Sequence, residues 1–166
     1  MLKIQGVNVK KWLLLATLLI SCSTVSSAEA CYSAREFEAE QGIRIHSELM
    51  VIGLTCIKMP EGQALYDKYQ SFTEKNADLI AGYETDLINY YTTEGAADPE
   101  RKLHTLRTDL ANEISTKAIA MSNLSFCEKY SSHIDQALAM DQPKLRRWAQ
   151  HVWPNQTTSE PACSEQ

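Results

Sequence analysis

Four cysteines, Cys31, Cys56, Cys127 and Cys163, follow an amino-terminal segment with the pattern of an export signal, and these two features constrain the chain more than its composition does. Lys3, Lys10 and Lys11 precede the apolar run Trp12 to Ile20, which is too short to span a bilayer; small and polar residues then lead to Ala28-Glu29-Ala30. Residues 1–30 are therefore expected to be a signal peptide and residues 31–166 a single helical domain. An even number of cysteines in an oxidising compartment is expected to pair.

The signal offers two cleavage routes. Cleavage after Ala30 satisfies the small-x-small rule and starts the mature chain at Cys31. Leu19-Ile20-Ser21-Cys22 resembles a relaxed bacterial lipobox, in which the chain is cut before Cys22 and that cysteine is acylated, giving an outer-membrane lipoprotein. Both routes leave the same four cysteines. Both predict a periplasmic or secreted protein with no transmembrane span in its mature part.

After Ala30 the chain has 136 residues, enough for one hydrophobic core. This part carries 20 acids against 13 bases, a formal charge of −7, which opposes general attraction to nucleic acid or anionic lipid.

Apolar spacing is helical nearly throughout, and β-branched alternation is absent. Ser33-Ala34-Arg35-Glu36 is a capping box opening a first helix to about Cys56, with Met59-Pro60 behind it. A second helical region begins near Glu61; its length predicts a kink, either at Ser71 to Glu74 or at Gly82. Thr92 to Asp98 reads as a loop, and Asp98-Pro99-Glu100 starts a third helix with Leu103, Leu106, Leu110 and Ile114 on its seam. Ser125 to Glu128 predicts the start or bend of a fourth helix with Phe126, Tyr130, Ile134 and Leu138. Asp141-Gln142-Pro143 opens a short fifth bearing Leu145, Trp148 and Val152 and stopped by Pro154. The expected architecture is an all-α, disulfide-stapled up-and-down bundle of four main helices plus a short C-terminal one.

The helices restrict the pairing of the cysteines. Cys31 and Cys56 are separated by roughly 37 Å of helix, whereas bridged Cα atoms approach within about 7 Å. An up-and-down bundle brings the end of the first helix beside the start of the fourth, so the predicted bonds are Cys56 to Cys127 and Cys31 to Cys163. No Cys-x-x-Cys spacing points to redox chemistry.

On the first helix Arg44, Ser47, Glu48 and Thr55 fall on a narrow polar strip between two apolar flanks, one of which includes Leu54. Gly42, His46 and Gly53 form a stripe between those flanks, with Met50 one turn beyond His46. Glycine inside a helix costs about 1 kcal/mol relative to alanine, so the stripe implies close packing or room for a ligand. His46 is read as a core histidine bonded to a neighbouring helix; its rival role is contact with a metal, haem or small molecule in a cavity. Glu36, Glu38 and Glu40 are read as partners of the helix dipole.

His133 and His151 have no acidic or thiol partner at an informative spacing, and nucleophile-elbow, phosphate-loop and His-Glu-x-x-His motifs are absent. No catalytic residue, metal ligand set or cofactor is therefore expected. Arg146, Arg147, Trp148 and Trp153 gather basic charge beside both mature tryptophans, a composition suited to a partner surface.

Cys31-Tyr32-Ser33 and the run Glu38 to Cys56 resemble small secreted proteobacterial proteins of unknown function. The resemblance covers the first helix and its two cysteines. It implies export and the disulfide frame but no activity. The expectation is an envelope protein acting by binding, as an interaction, inhibitor or protective factor for another envelope protein. A periplasmic small-ligand or metal binder, and an enzyme whose site assembles only in space, are its alternatives.

Overall fold

Ser33 opens the first helix as its capping box predicts: its hydroxyl accepts from the Arg35 N–H at 3.2 Å, and the Glu36 carboxylate takes the Ser33 N–H at 2.9 Å. The computed structural model describes residues 30–151 and 157–163. Cys22, Val152, Trp153 and Pro154 lie outside the described residues, as does the signal segment up to Glu29. Among those described are seven helices: α1 (Ala34–Cys56), α2 (Gly62–Lys75), α3 (Ala77–Thr93), α4 (Pro99–Ala120), α5 (Asn123–Tyr130), α6 (Ser132–Leu138) and α7 (Gln142–Ala149). The fold is an all-α bundle stapled by two disulfides. No described helix is long and apolar enough to cross a membrane.

The second and fourth predicted helices are each broken in two. The second breaks at Asn76, not at Ser71 to Glu74 or Gly82. Ser71 spends its hydroxyl on the Asp67 carbonyl inside the helix, while buried Asn76 caps α2 with both its backbone N–H and its side-chain amide on the Phe72 carbonyl, at 3.1 and 2.9 Å. The fourth breaks at Ser131, and its start is set by Ser122, whose hydroxyl accepts from the Ser125 N–H; Ser125 lies inside α5. The fifth, α7, ends at Ala149, before Val152.

Helix α1 is the axis of the bundle and packs against α2, α3, α4, α5, α6 and α7. Fifteen of its 23 residues are buried, so only part of the expected polar strip meets solvent: Arg44 and Ser47 are buried, Glu48 and Thr55 are half-buried, and Leu54, expected on an apolar flank, is half exposed. A helix surrounded on all sides must satisfy its polar groups on its neighbours. Around it Phe72, Leu79, Leu87, Leu110, Ile114, Phe126 and Ile134 complete one continuous core.

Cys56 is bonded to Cys127 and Cys31 to Cys163, with Cα atoms 5.7 and 5.0 Å apart, as the bundle topology predicts. The second bond carries the tail onto the start of α1. Tyr32 N–H donates to the Pro161 carbonyl and Cys163 N–H to that of Tyr32, both at 2.8 Å, making an isolated parallel bridge with Ala162.

Candidate functional site

The polar residues of α1 organise the interior. Glu38 is not a mere dipole partner: its carboxylate accepts from the Tyr83 hydroxyl at 2.9 Å, from Arg146 at 2.7 Å and from the Gln150 amide at 2.6 Å. Glu40 is fully buried and accepts from the backbone N–H of Ser159 at 2.9 Å and from its hydroxyl at 2.5 Å. Arg44 reaches Glu113 on α4 at 2.5 Å and the Thr157 carbonyl at 2.9 Å. Only Glu36 keeps the role that position at a helix start assigned to all three acids.

The stripe of Gly42, His46 and Gly53 is roofed by tyrosines. Gly42 lies against the Tyr83 ring and Gly53 against Tyr66 and Tyr69. His46 Nε2 is 3.2 Å from the Thr73 hydroxyl and 3.3 Å from that of Tyr69. Burial, with a smaller contribution from the Arg107 charge, pushes the His46 pKa down to about 4, so its imidazole is neutral at physiological pH. Met50 is half-buried and packs on the core.

The next face of α1 forms the floor of a cleft of about 480 Å³. Gln41, Arg44, Ile45 and Glu48 supply that floor, an i, i+3, i+4, i+7 series that places all four on one side of the helix. Ile114 and Lys117 of α4 form one wall, Phe126 and Tyr130 of α5 the other. Beyond the break at Ser131, His133 and Gln136 of α6 line the cleft too, as do Met140 and, from α7, Trp148. His46 does not line this cleft, nor a second hollow of about 380 Å³ that runs along the Cys56–Cys127 bond past Pro60, Leu65 and the half-exposed Leu124.

Each basic side chain that lines the cleft has an acid beside it. His133 Nδ1 is 2.8 Å from Glu48 Oε1, across 85 residues of sequence, which is why spacing alone left His133 without a partner. Glu113 receives Arg44 at 2.5 Å and Lys117 at 3.1 Å. Burial raises the Glu113 carboxyl, but hydrogen bonds from Lys117 and Arg44 outweigh it and hold the group below the ordinary carboxylate range. The Tyr130 ring stands edge-on to His133, with centroids 5.5 Å apart, and tilts against Phe126 at 4.9 Å.

Glu48 and His133 thus form an acid–base pair in a hollow, but among the described residues no serine, threonine or cysteine bonds the imidazole as a nucleophile would. No group of three or more described His, Cys, Asp or Glu side chains is placed to hold a metal ion. Arg146 and Trp148 face different tasks: Arg146 binds Glu38 and lies 5.8 Å over the Tyr83 ring, whereas Trp148 is half-buried in the cleft. Arg147 is exposed. Compared with known protein families, with curated proteins and with solved structures, the chain matches none.

Proposed function

We propose that this is an exported, disulfide-stabilised binding protein of the periplasm or cell exterior, and that it takes up a small amphipathic molecule in the cleft between α1, α4, α5, α6 and α7. The observation that carries the reading is the combination of a 480 Å³ hollow with aromatic walls from Phe126, Tyr130 and Trp148 and a floor of polar α1 side chains. Ligand sites characteristically join an apolar enclosure of this size to a few placed polar groups. The two disulfides fit an oxidising compartment.

The test uses N-phenyl-1-naphthylamine, an uncharged fluorescent amphiphile. Saturable binding at one site per chain, lost in Trp148→Ala while the helical circular dichroism is kept, is the expected result. Non-saturable binding, or binding indifferent to Trp148→Ala, would overturn the reading.

A protein partner is the second reading, favoured by the exposed Leu124 beside the hollow at the Cys56–Cys127 bond. Its test is recovery of a stoichiometric partner from envelope extract that Leu124→Asp abolishes.

A further inference from the structure

The geometry points to an uncharged ligand that brings a carbonyl or similar hydrogen-bond acceptor to the floor of the cleft at Gln41 and Arg44, an inference that rests on the cleft reading above. Gln41 is 2 % exposed and lines the cleft, yet its amide nitrogen is buried with no hydrogen-bond partner among the described residues. Three residues along the same face, Arg44 also lines the cleft; its two outer nitrogens are engaged by Glu113 and Thr157, but its Nε has no partner among the described residues. Two buried donors on adjacent turns therefore lack an acceptor. Buried donors are rarely left in this state in native proteins, because the desolvation they suffered is not returned.

Among the described residues the buried, unpartnered atoms of the cleft lining are both donors. The charged lining groups are already matched: Glu48 by His133, and Arg44 and Lys117 by Glu113. Buried Glu40 lies 3.6 Å from Arg44 on its other side. Among the described residues no basic side chain of the lining is without an acid to neutralise it, and a carboxylate entering here would approach Glu48. A ligand acceptor without charge meets the two donors and avoids that repulsion. The last torsion of a glutamine is soft, so the Gln41 amide can turn its N–H toward a group entering the cleft. The aromatic walls then accept an alkyl or aryl body. The ligand class is an amide, ester or lactone on an apolar chain.

Octanamide and octanoate, which share a chain and differ in charge at the head, separate the outcomes by titration calorimetry at neutral pH. Octanamide is expected to bind about tenfold more tightly than octanoate. In Gln41→Met, which keeps the side-chain length and removes the donor, the preference should fall to about threefold or less. Because a core variant can lose its fold, the wild-type protein supplies a second readout: octanamide should shift the side-chain amide resonance of Gln41 in a nitrogen–proton spectrum. Equal or tighter octanoate binding, an unchanged preference in a folded Gln41→Met, or an unmoved Gln41 amide overturns the assignment. If N-phenyl-1-naphthylamine binds and neither octyl compound does, the ligand class falls and the cleft stands. If none of the three binds, the cleft reading itself fails.

Discussion

Gly42 and Tyr83 are in such close contact that a methyl group added at Gly42 would lie 2.2 Å from Cε2 of the ring. The ring cannot easily retreat, because its hydroxyl is held by Glu38 and Arg146 lies over its face. Gly42→Ala is therefore expected to cost about 1–3 kcal/mol through overpacking, despite alanine's better helix propensity. At Gly53 the nearest atoms would be 3.4 Å away or more, an ordinary contact. Gly53→Ala should raise stability by about 0.5–1 kcal/mol. Urea unfolding of the two variants checks the opposite signs.

His46 predicts an acid-side loss of stability. Its folded pKa of about 4 lies below the ordinary imidazole value of 6.5, so the unfolded chain takes up a proton that the native protein refuses. The stabilisation is fully present above about pH 6.5 and is lost as pH falls towards 4, with a total of roughly 3 kcal/mol. In His46→Gln this part of the slope should vanish, at the cost of about 1–3 kcal/mol at neutral pH from the disturbed buried hydrogen bonds. Melting temperatures from pH 8 to pH 4, wild type against variant, make the comparison.

The Glu38 network should be non-additive. Glu38→Gln is expected to cost about 1–3 kcal/mol, since it weakens the acceptor for Tyr83, Arg146 and Gln150 together. Tyr83→Phe should cost about 0.5–1.5 kcal/mol, and the double variant less than both combined. A double-mutant cycle by chemical denaturation measures the shortfall; simple additivity would mean that the buried bond contributes nothing.

Non-reducing peptide mapping should recover Cys31 joined to Cys163 and Cys56 joined to Cys127. The bonds close sequence separations of 132 and 71 residues, for which the chain-entropy treatment gives about 4–5 kcal/mol each. Replacing either pair by serine should lower the urea midpoint accordingly.

Elements governed by local rules were legible in the sequence. Ser33 and Glu36 announce α1, Asp98 and Pro99 announce α4, and helix length alone excluded a Cys31–Cys56 bond and, with bundle direction, gave the pairing that forms. What was not legible depends on partners far along the chain. Glu38 and Glu40 look like acids at a helix start until residues 108 to 119 positions away close on them. Asn76 ends α2 through its own side chain, a signal weaker than the box at Ser71. The cleft could have been approached from the spacing of Gln41, Arg44, Ile45 and Glu48. The His133 that completes it depends on the break at Ser131, which no local pattern marks.

Glu40 and Arg44 belong to α1, yet the groups that complete them sit on Ser159 and Thr157, 119 and 113 residues further along the chain. A chain without residues 157–163 would keep the sequence of all seven described helices and still bury a carboxylate stripped of its serine donors, with Cys31 separated from its disulfide partner. The tail thus serves the central helix as a tethered ligand would.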